Sequence, residues 1–212
     1  MDISLNEEEI RVLGCLLEKS MATPEYYPLS LNALTNACNQ KSNRDPVVAW
    51  DEETVETAVD SLETKGLVNR SSTGRVPKFE ETFTRQYNMV AAEAAALCIL
   101  LLRGPQTPGA IRSRSDRLCT FDSLEALQET LDRLSEWGLV RRMQRLPGHK
   151  ESRYTHLFAD PSAMDSEILS TDPLPAPEDA DRLDQLETRI QAIRDELADL
   201  KAAFESFRQQ FE

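Results

Sequence analysis

Apolar residues recur along this chain at helical spacing, in blocks, and two of the blocks are near copies of each other. Val55–Arg70 (VETAVDSLETKGLVNR) and Leu127–Arg142 (LQETLDRLSEWGLVRR) align at a constant offset of 72. Asp60/Asp132, Leu62/Leu134, Gly66/Gly138, Leu67/Leu139, Val68/Val140 and Arg70/Arg142 coincide. Each block reads as an amphipathic helix stopped by Gly and followed at once by a β-prone Leu-Val, which makes the working unit a small module used twice.

The elements of the first module follow from start and stop signals. Asn6 reads as an N-cap, Glu9 completes a capping box, and Leu5 can staple against Ile10. Ile10, Leu13, Leu16 and Leu17 then form an apolar stripe. Thr23–Leu29, with Pro24 and Pro28, reads as a turn, and Ser30–Cys38 as a second helix burying Leu31, Leu34 and Cys38. A third helix starts at Asp51 and buries Val55, Ala58, Val59 and Leu62, with Trp50 and Val55 as its staple and Gly66 as its stop. A hairpin is expected next: Leu67–Ser71, a Thr73–Gly74 turn, and a second strand near Thr82–Met89.

The second module repeats the order. Helices are expected over Ala91–Arg103, about Pro108–Arg117, and Ser123–Trp137 with Asp122 as cap. A hairpin of Leu139–Leu146, a Pro147–Gly148 turn and Glu151–Phe158 closes it. The first copy is about twelve residues longer between helices two and three, which fits the polar loop Asn39–Ala49. The AAEAAALCILLLR helix is apolar nearly all round, so it reads as a core helix between the modules or, alternatively, as a dimer interface.

Three helices and a hairpin in this order describe a winged helix. The expected fold is mainly α with small β-hairpins (α+β): winged-helix domains over 1–90 and 91–160, then a C-terminal coiled-coil helix. Residues 161–181 read as a Pro-rich acidic linker. Over 182–212, Leu183, Leu186, Ile190, Ile193, Leu197, Leu200, Phe204, Phe207 and Phe211 alternate in steps of 3 and 4. Such a heptad seam is a candidate self-association element, favouring a homodimer.

Charge changes the functional picture. The net charge of −13 divides into −6 over 1–90, +1 over 91–160 and −8 over 161–212. An acidic protein is repelled by nucleic acid as a whole. The third helices sharpen this, because Asp51–Lys65 carries six carboxylates and one Lys, and Asp122–Trp137 five carboxylates against Arg133. Insertion of such a helix into a duplex groove is opposed electrostatically. The basic residues lie elsewhere: Arg112, Arg114 and Arg117 on helix two of the second module, and Arg141, Arg142, Arg145, Lys150 and Arg153 in its hairpin. These are the candidate phosphate-contacting residues. The competing reading is a solvated hairpin, or one whose arginines pair with acidic helices of the same protein.

No enzyme, cofactor or metal is expected. His149 and His156 lack Cys or carboxylate partners at ligand spacing, and Gly104–Gly109 lacks the Lys-Ser/Thr ending of a phosphate loop. Cys15, Cys38, Cys98 and Cys119 lie far apart, as reduced thiols of a cytoplasmic protein would, and no run is long enough to span a bilayer.

The segments LNEEEIRVLGCLLEKS, TPEYYPLSLNALTNACNQKSNRDPV, GPQTPGAIRSRSDRL and PGHKESRYTHLF, with the GLV junctions, resemble the YceH-like family of uncharacterised bacterial proteins over about residues 3–158. The resemblance implies tandem winged helices in a cytoplasmic bacterial protein and supplies no activity. Two functions stand on the residues themselves. One is a non-catalytic regulator touching nucleic acid through the second wing, the other a protein–protein adaptor using its winged helices and coiled coil.

Overall fold

In the computed structural model, residues 3–71, 76–145 and 151–159 are described. The Thr73–Gly74 and Pro147–Gly148 turns, His149, Lys150, the 161–181 linker and the 182–212 heptads lie outside the described residues. The described chain is α+β, helices with small antiparallel sheets.

The first copy comprises α1 (Glu7–Ala22), a 3-10 turn at Pro24–Tyr26, β1 (Leu29–Ser30), α2 (Leu31–Cys38), α3 (Glu52–Thr64), β2 (Val68–Ser71), β3 (Lys78–Glu81) and α4 (Phe83–Gln86). The capping box at α1 forms as expected. Glu9 N–H donates to Asn6 Oδ1, and Asn6 N–H to the Glu9 carboxylate, each at 2.8 Å. Ser30 caps α2, where Leu31 is half-buried while Leu34 and Cys38 are fully buried. Asp51 caps α3, and Val55, Ala58, Val59 and Leu62 are its buried face.

The expected strand over Thr82–Met89 is corrected: β3 lies earlier, at Lys78–Glu81, and Phe83–Gln86 is helical. The Glu81 carboxylate accepts the Thr84 N–H (2.9 Å) and hydroxyl (2.6 Å), the local bonding that starts a helix. Phe83 and Tyr87, four residues apart, then stack at 4.5 Å with Phe83 fully buried. The sheet order is β1–β3–β2, with Leu29 opposite Phe79 and Arg70 opposite Phe79 on the other side.

The second copy comprises α5 (Ala91–Arg103), α6 (Pro108–Ser115), α7 (Leu124–Glu136), β4 (Val140–Arg142) and β5 (Tyr154–His156). Ser123, not Asp122, caps α7, its Oγ accepting the Ala126 N–H at 3.1 Å. Ser123 has the extended backbone a cap needs, whereas the Asp122 carbonyl accepts from Arg112. The regular ladder is also shorter than the expected hairpin, pairing Val140–Arg142 with Tyr154–His156. Gln106 bridges to Tyr154 in both directions (3.0 and 2.8 Å), in the place β1 occupies beside β3.

The repeated Gly works identically in both copies. Gly66 (φ 71°) and Gly138 (φ 69°) take the left-handed conformation. The next amide then turns back to the helix, Leu67 N–H to the Leu62 carbonyl (2.9 Å) and Leu139 N–H to that of Leu134 (3.0 Å).

Buried residues of both copies join one apolar cluster, with α5 at its centre. Residues Glu93–Leu102 of α5 are all buried, against α1, α6, α7 and β5. The apolar circumference of α5 is used within the chain, which removes the case for a dimer interface there. Gly14 lets α1 approach: a Cβ there would lie 2.9 Å from Leu102 Cδ2 and 3.2 Å from Leu101 Cβ. Cys98 Sγ lies 3.5 Å from the Gly14 carbonyl. Further ties are Leu5 N–H to the Phe158 carbonyl (2.7 Å), Asp45 N–H to that of Leu102 (3.0 Å), and Phe83 edge-on to Phe158 at 5.5 Å.

The long loop after α2 is anchored from within. Arg44, its side chain fully buried, donates to both Glu18 carboxylate oxygens (3.1 and 2.6 Å) and to the Ala37 carbonyl (3.0 Å). Arg11 donates to the Pro46 carbonyl at 2.6 Å. Burial alone would raise the Glu18 carboxyl, but the Arg44 hydrogen bonds and charge, with Lys19 nearby, hold it below the usual range. Cys15, Cys38 and Cys98 are buried free thiols and Cys119 is half-buried.

Candidate nucleic-acid interface

The two hairpins begin with equivalent arginines that meet different surroundings. In the first copy Arg70 is neutralised locally. It donates to Asp60 and, through Nε at 3.2 Å, to Glu63, both on α3, with its guanidinium 5.1 Å over the Phe79 ring. In the second copy Arg142 occupies the equivalent position and Tyr154 replaces Phe79 as its cross-strand partner. The residue matching Glu63 is Ser135, whose hydroxyl bonds the Leu131 carbonyl. The residue matching Asp60, Asp132, accepts from Gln128 Nε2 at 2.9 Å, and the same nitrogen reaches the Tyr154 hydroxyl at 2.6 Å. Among the described residues Arg142 has no carboxylate within salt-bridge distance, and it is exposed. Pairing with carboxylates of the preceding helix therefore describes Arg70 and, among the described residues, not Arg142.

The other candidates divide by position. Arg141 and Arg145 are exposed, and Arg153 is half-buried with its carbonyl accepting the Met143 N–H at 2.8 Å. Arg142 and Arg145 border a cleft of about 300 Å³ between the hairpin and the starts of α6 and α7. On α6, Arg112 donates to the Phe121 and Asp122 carbonyls (3.3 Å each) and so ties α6 to the entry of α7. Arg114 donates to the Gln106 side-chain carbonyl, whereas Arg117, expected on this helix, lies past its end at Ser115 and is exposed. The α6 arginines are thus bound to neutral oxygens rather than carboxylates, but they do not line the cleft, to which α6 contributes Pro108. Lys150 and the nine heptad candidates lie outside the described residues.

Sequence reasoning missed Arg103, which donates to Asn43 Oδ1 at 2.7 Å. Burial pulls its guanidinium below the usual range, and the neighbouring charge of Arg114 adds to this. The missing partner of Arg142 was detectable, because the offset of 72 sets Ser135 against Glu63. The outward side of α7 is acidic, with Glu125, Glu129, Asp132 and Glu136 exposed. The Glu125 carboxyl is held below its usual range by the backbone N–H at the helix start, by Ser123, and by the charge of Arg112.

Other chemistry is sparse. Among the described residues no group of three His, Cys, Asp or Glu could hold a metal ion, and no helix is long and apolar enough to cross a membrane. His156 is buried, accepts the Phe158 N–H through Nδ1 at 3.4 Å, and is pushed down to about 4 by burial.

Residues 5–149 match the model of a family described as a protein of unknown function, DUF480. The chain belongs to this family. DUF480 relatives extend over its whole length. A UPF0502 protein of Solibacter usitatus is 50% identical over 213 residues, covering all of both chains. A UPF0502 protein of Geobacter sulfurreducens is 44% identical over 219 residues, again covering both fully. One of Koribacter versatilis is 54% identical over 159 residues, 74% of each chain. The DUF480 assignment accords with the YceH-like resemblance, and these relatives' names carry no activity.

Proposed function

We propose that this protein is a non-catalytic, nucleic-acid-associated regulator that contacts phosphates through the hairpin of its second copy. In this reading the halves 1–90 and 91–160 are tandem winged helices, and the 182–212 heptads make the protein a homo-oligomer. The observation that carries the reading is the contrast between the two arginines: Arg70 is paired with Asp60 and Glu63, while Arg142 has no carboxylate partner among the described residues. An exposed guanidinium left without a carboxylate, with Arg141 and Arg145 beside it, is the kind of group that neutralises backbone phosphate. The acidic outer faces of α3 and α7 argue against groove insertion by the third helix and in favour of contact through the hairpin.

The test is oligonucleotide binding by fluorescence anisotropy in 50 and 200 mM salt. Binding is expected at low salt, falling steeply with salt, and lost when Arg141, Arg142, Arg145 and Arg153 are all changed to Glu. Absence of binding by the unmodified protein at low salt refutes the reading. Nuclease-resistant capture of protein partners by the same hairpin would instead favour the adaptor.

A further inference from the structure

The cleft beside Arg142 combines features that a purely electrostatic phosphate contact does not need. It is about 300 Å³, at the lower end of ligand-sized sites and too small to take in a duplex. One wall is apolar: Pro108 at the start of α6 and Leu124 at the start of α7, the latter 40% exposed. Leu124 is the first residue of α7 and faces solvent where a polar residue would serve the helix equally well. Arg142 and Arg145 line the cleft as well, without carboxylate partners among the described residues. Gln128 and Tyr154 also line it, and Gln128 Nε2 donates to the Tyr154 hydroxyl at 2.6 Å.

Glu151 also lines the cleft. A carboxylate there repels phosphate, so a site for phosphate alone would be poorly built. A carboxylate does, however, accept from the ring and exocyclic N–H groups of a nucleobase edge. Apolar wall, carboxylate and two arginines therefore match one ligand chemistry: a flat base carrying a phosphate.

We propose that the cleft takes one unstacked nucleotide of a single-stranded nucleic acid, its base against Leu124 and Pro108 and its phosphate on Arg142 and Arg145. This rests on the reading of the second hairpin as a phosphate contact and adds the form of the nucleic acid. The acidic α7 face next to the cleft opposes a duplex, whose paired and stacked bases cannot enter. A single strand can turn one base inward and keep its backbone on the arginines.

The test uses the full chain, with anisotropy at 50 mM salt against a labelled mixed-sequence single strand, the duplex of the same sequence, and free AMP and CMP as competitors. The single strand is expected to bind at least tenfold tighter than the duplex, with mononucleotides competing only in the millimolar range. Leu124→Glu, at an exposed position where an acid suits the helix start, is expected to weaken the single strand at least tenfold more than it weakens the duplex, on which only the added charge acts. A strand containing 2-aminopurine should change fluorescence on binding to the unmodified protein and not to L124E. Duplex binding as tight as the single strand, or L124E binding the single strand normally, overturns the cleft and leaves the hairpin contact standing. Micromolar mononucleotide binding without strand binding overturns it in favour of a small effector. Failure of both strand and duplex to bind overturns the hairpin contact and the cleft together.

Discussion

Replacing Arg44 by Ala tests whether the long loop of the first copy is built into the core or laid over it. The fully buried guanidinium holds both oxygens of Glu18, the Ala37 and Asn43 carbonyls and Gln40 Oε1. Truncation strands the Glu18 carboxylate, only 11% exposed, with Lys19 at 3.4 Å as its remaining cation. Removing one partner of a buried pair costs roughly 3–5 kcal/mol, and the retained Lys19 places the loss at about 3 kcal/mol. That is a large part of the roughly 5–15 kcal/mol by which proteins of this kind are stable. It corresponds to a fall in Tm of about 6–12 °C for a chain of this size. The assay is urea unfolding followed by circular dichroism, with E18Q and the double variant completing a cycle. Because the folded Glu18 carboxyl sits below its unfolded value of 4.5, its stabilisation is present above pH 4.5 and is lost as pH falls through the folded value. R44A should remove that part of the acid dependence. A loss below about 1 kcal/mol at pH 7 would refute the claim that Arg44 anchors the loop through Glu18.

His156, pushed down to about 4 from 6.5, is expected to make stability fall as pH drops from 6.5 towards 4, by up to roughly 3 kcal/mol. The unfolded chain binds the proton that the folded one refuses; a pH series of urea midpoints on the wild type and H156Q, flat in that window for both, would contradict this. Ser135→Glu offers Arg142 the partner that Glu63 gives Arg70, and should weaken oligonucleotide binding severalfold and reduce its salt slope by about 1. An unchanged slope would mean that Arg142 touches no phosphate. Deleting 182–212 should lower the oligomeric state by light scattering while leaving the two copies folded, and a full-length chain that is already monomeric would end that expectation.

Much of the fold was legible because its signals are local. Asn6 and Glu9 are three residues apart, Val55, Ala58, Val59 and Leu62 sit on one helical face, and a Gly after a helix is read the same way wherever it occurs. The errors came where two local readings compete. Thr82–Met89 has β-prone residues, but Glu81 bonds Thr84 and turns the chain into α4. Asp122 and Ser123 are both good caps, and the bond from Arg112 to the Asp122 carbonyl is absent from any local pattern. The candidate arginines were legible as a concentration of charge, but their separation into an α6 group bound to carbonyls and a hairpin pair at a cleft was not.

By itself the sequence determined the longer helices, the glycine stops of α3 and α7 and the duplication, since these depend on residues within a few positions of one another. Only the tertiary structure decided that α5 serves both copies as a shared core, that Arg44 is buried rather than displayed, and that Arg70 is paired while Arg142 has no such partner among the described residues. Those outcomes depend on which side chains distant segments bring within a few ångströms, and a carboxylate at that distance is what separates a structural arginine from an available one.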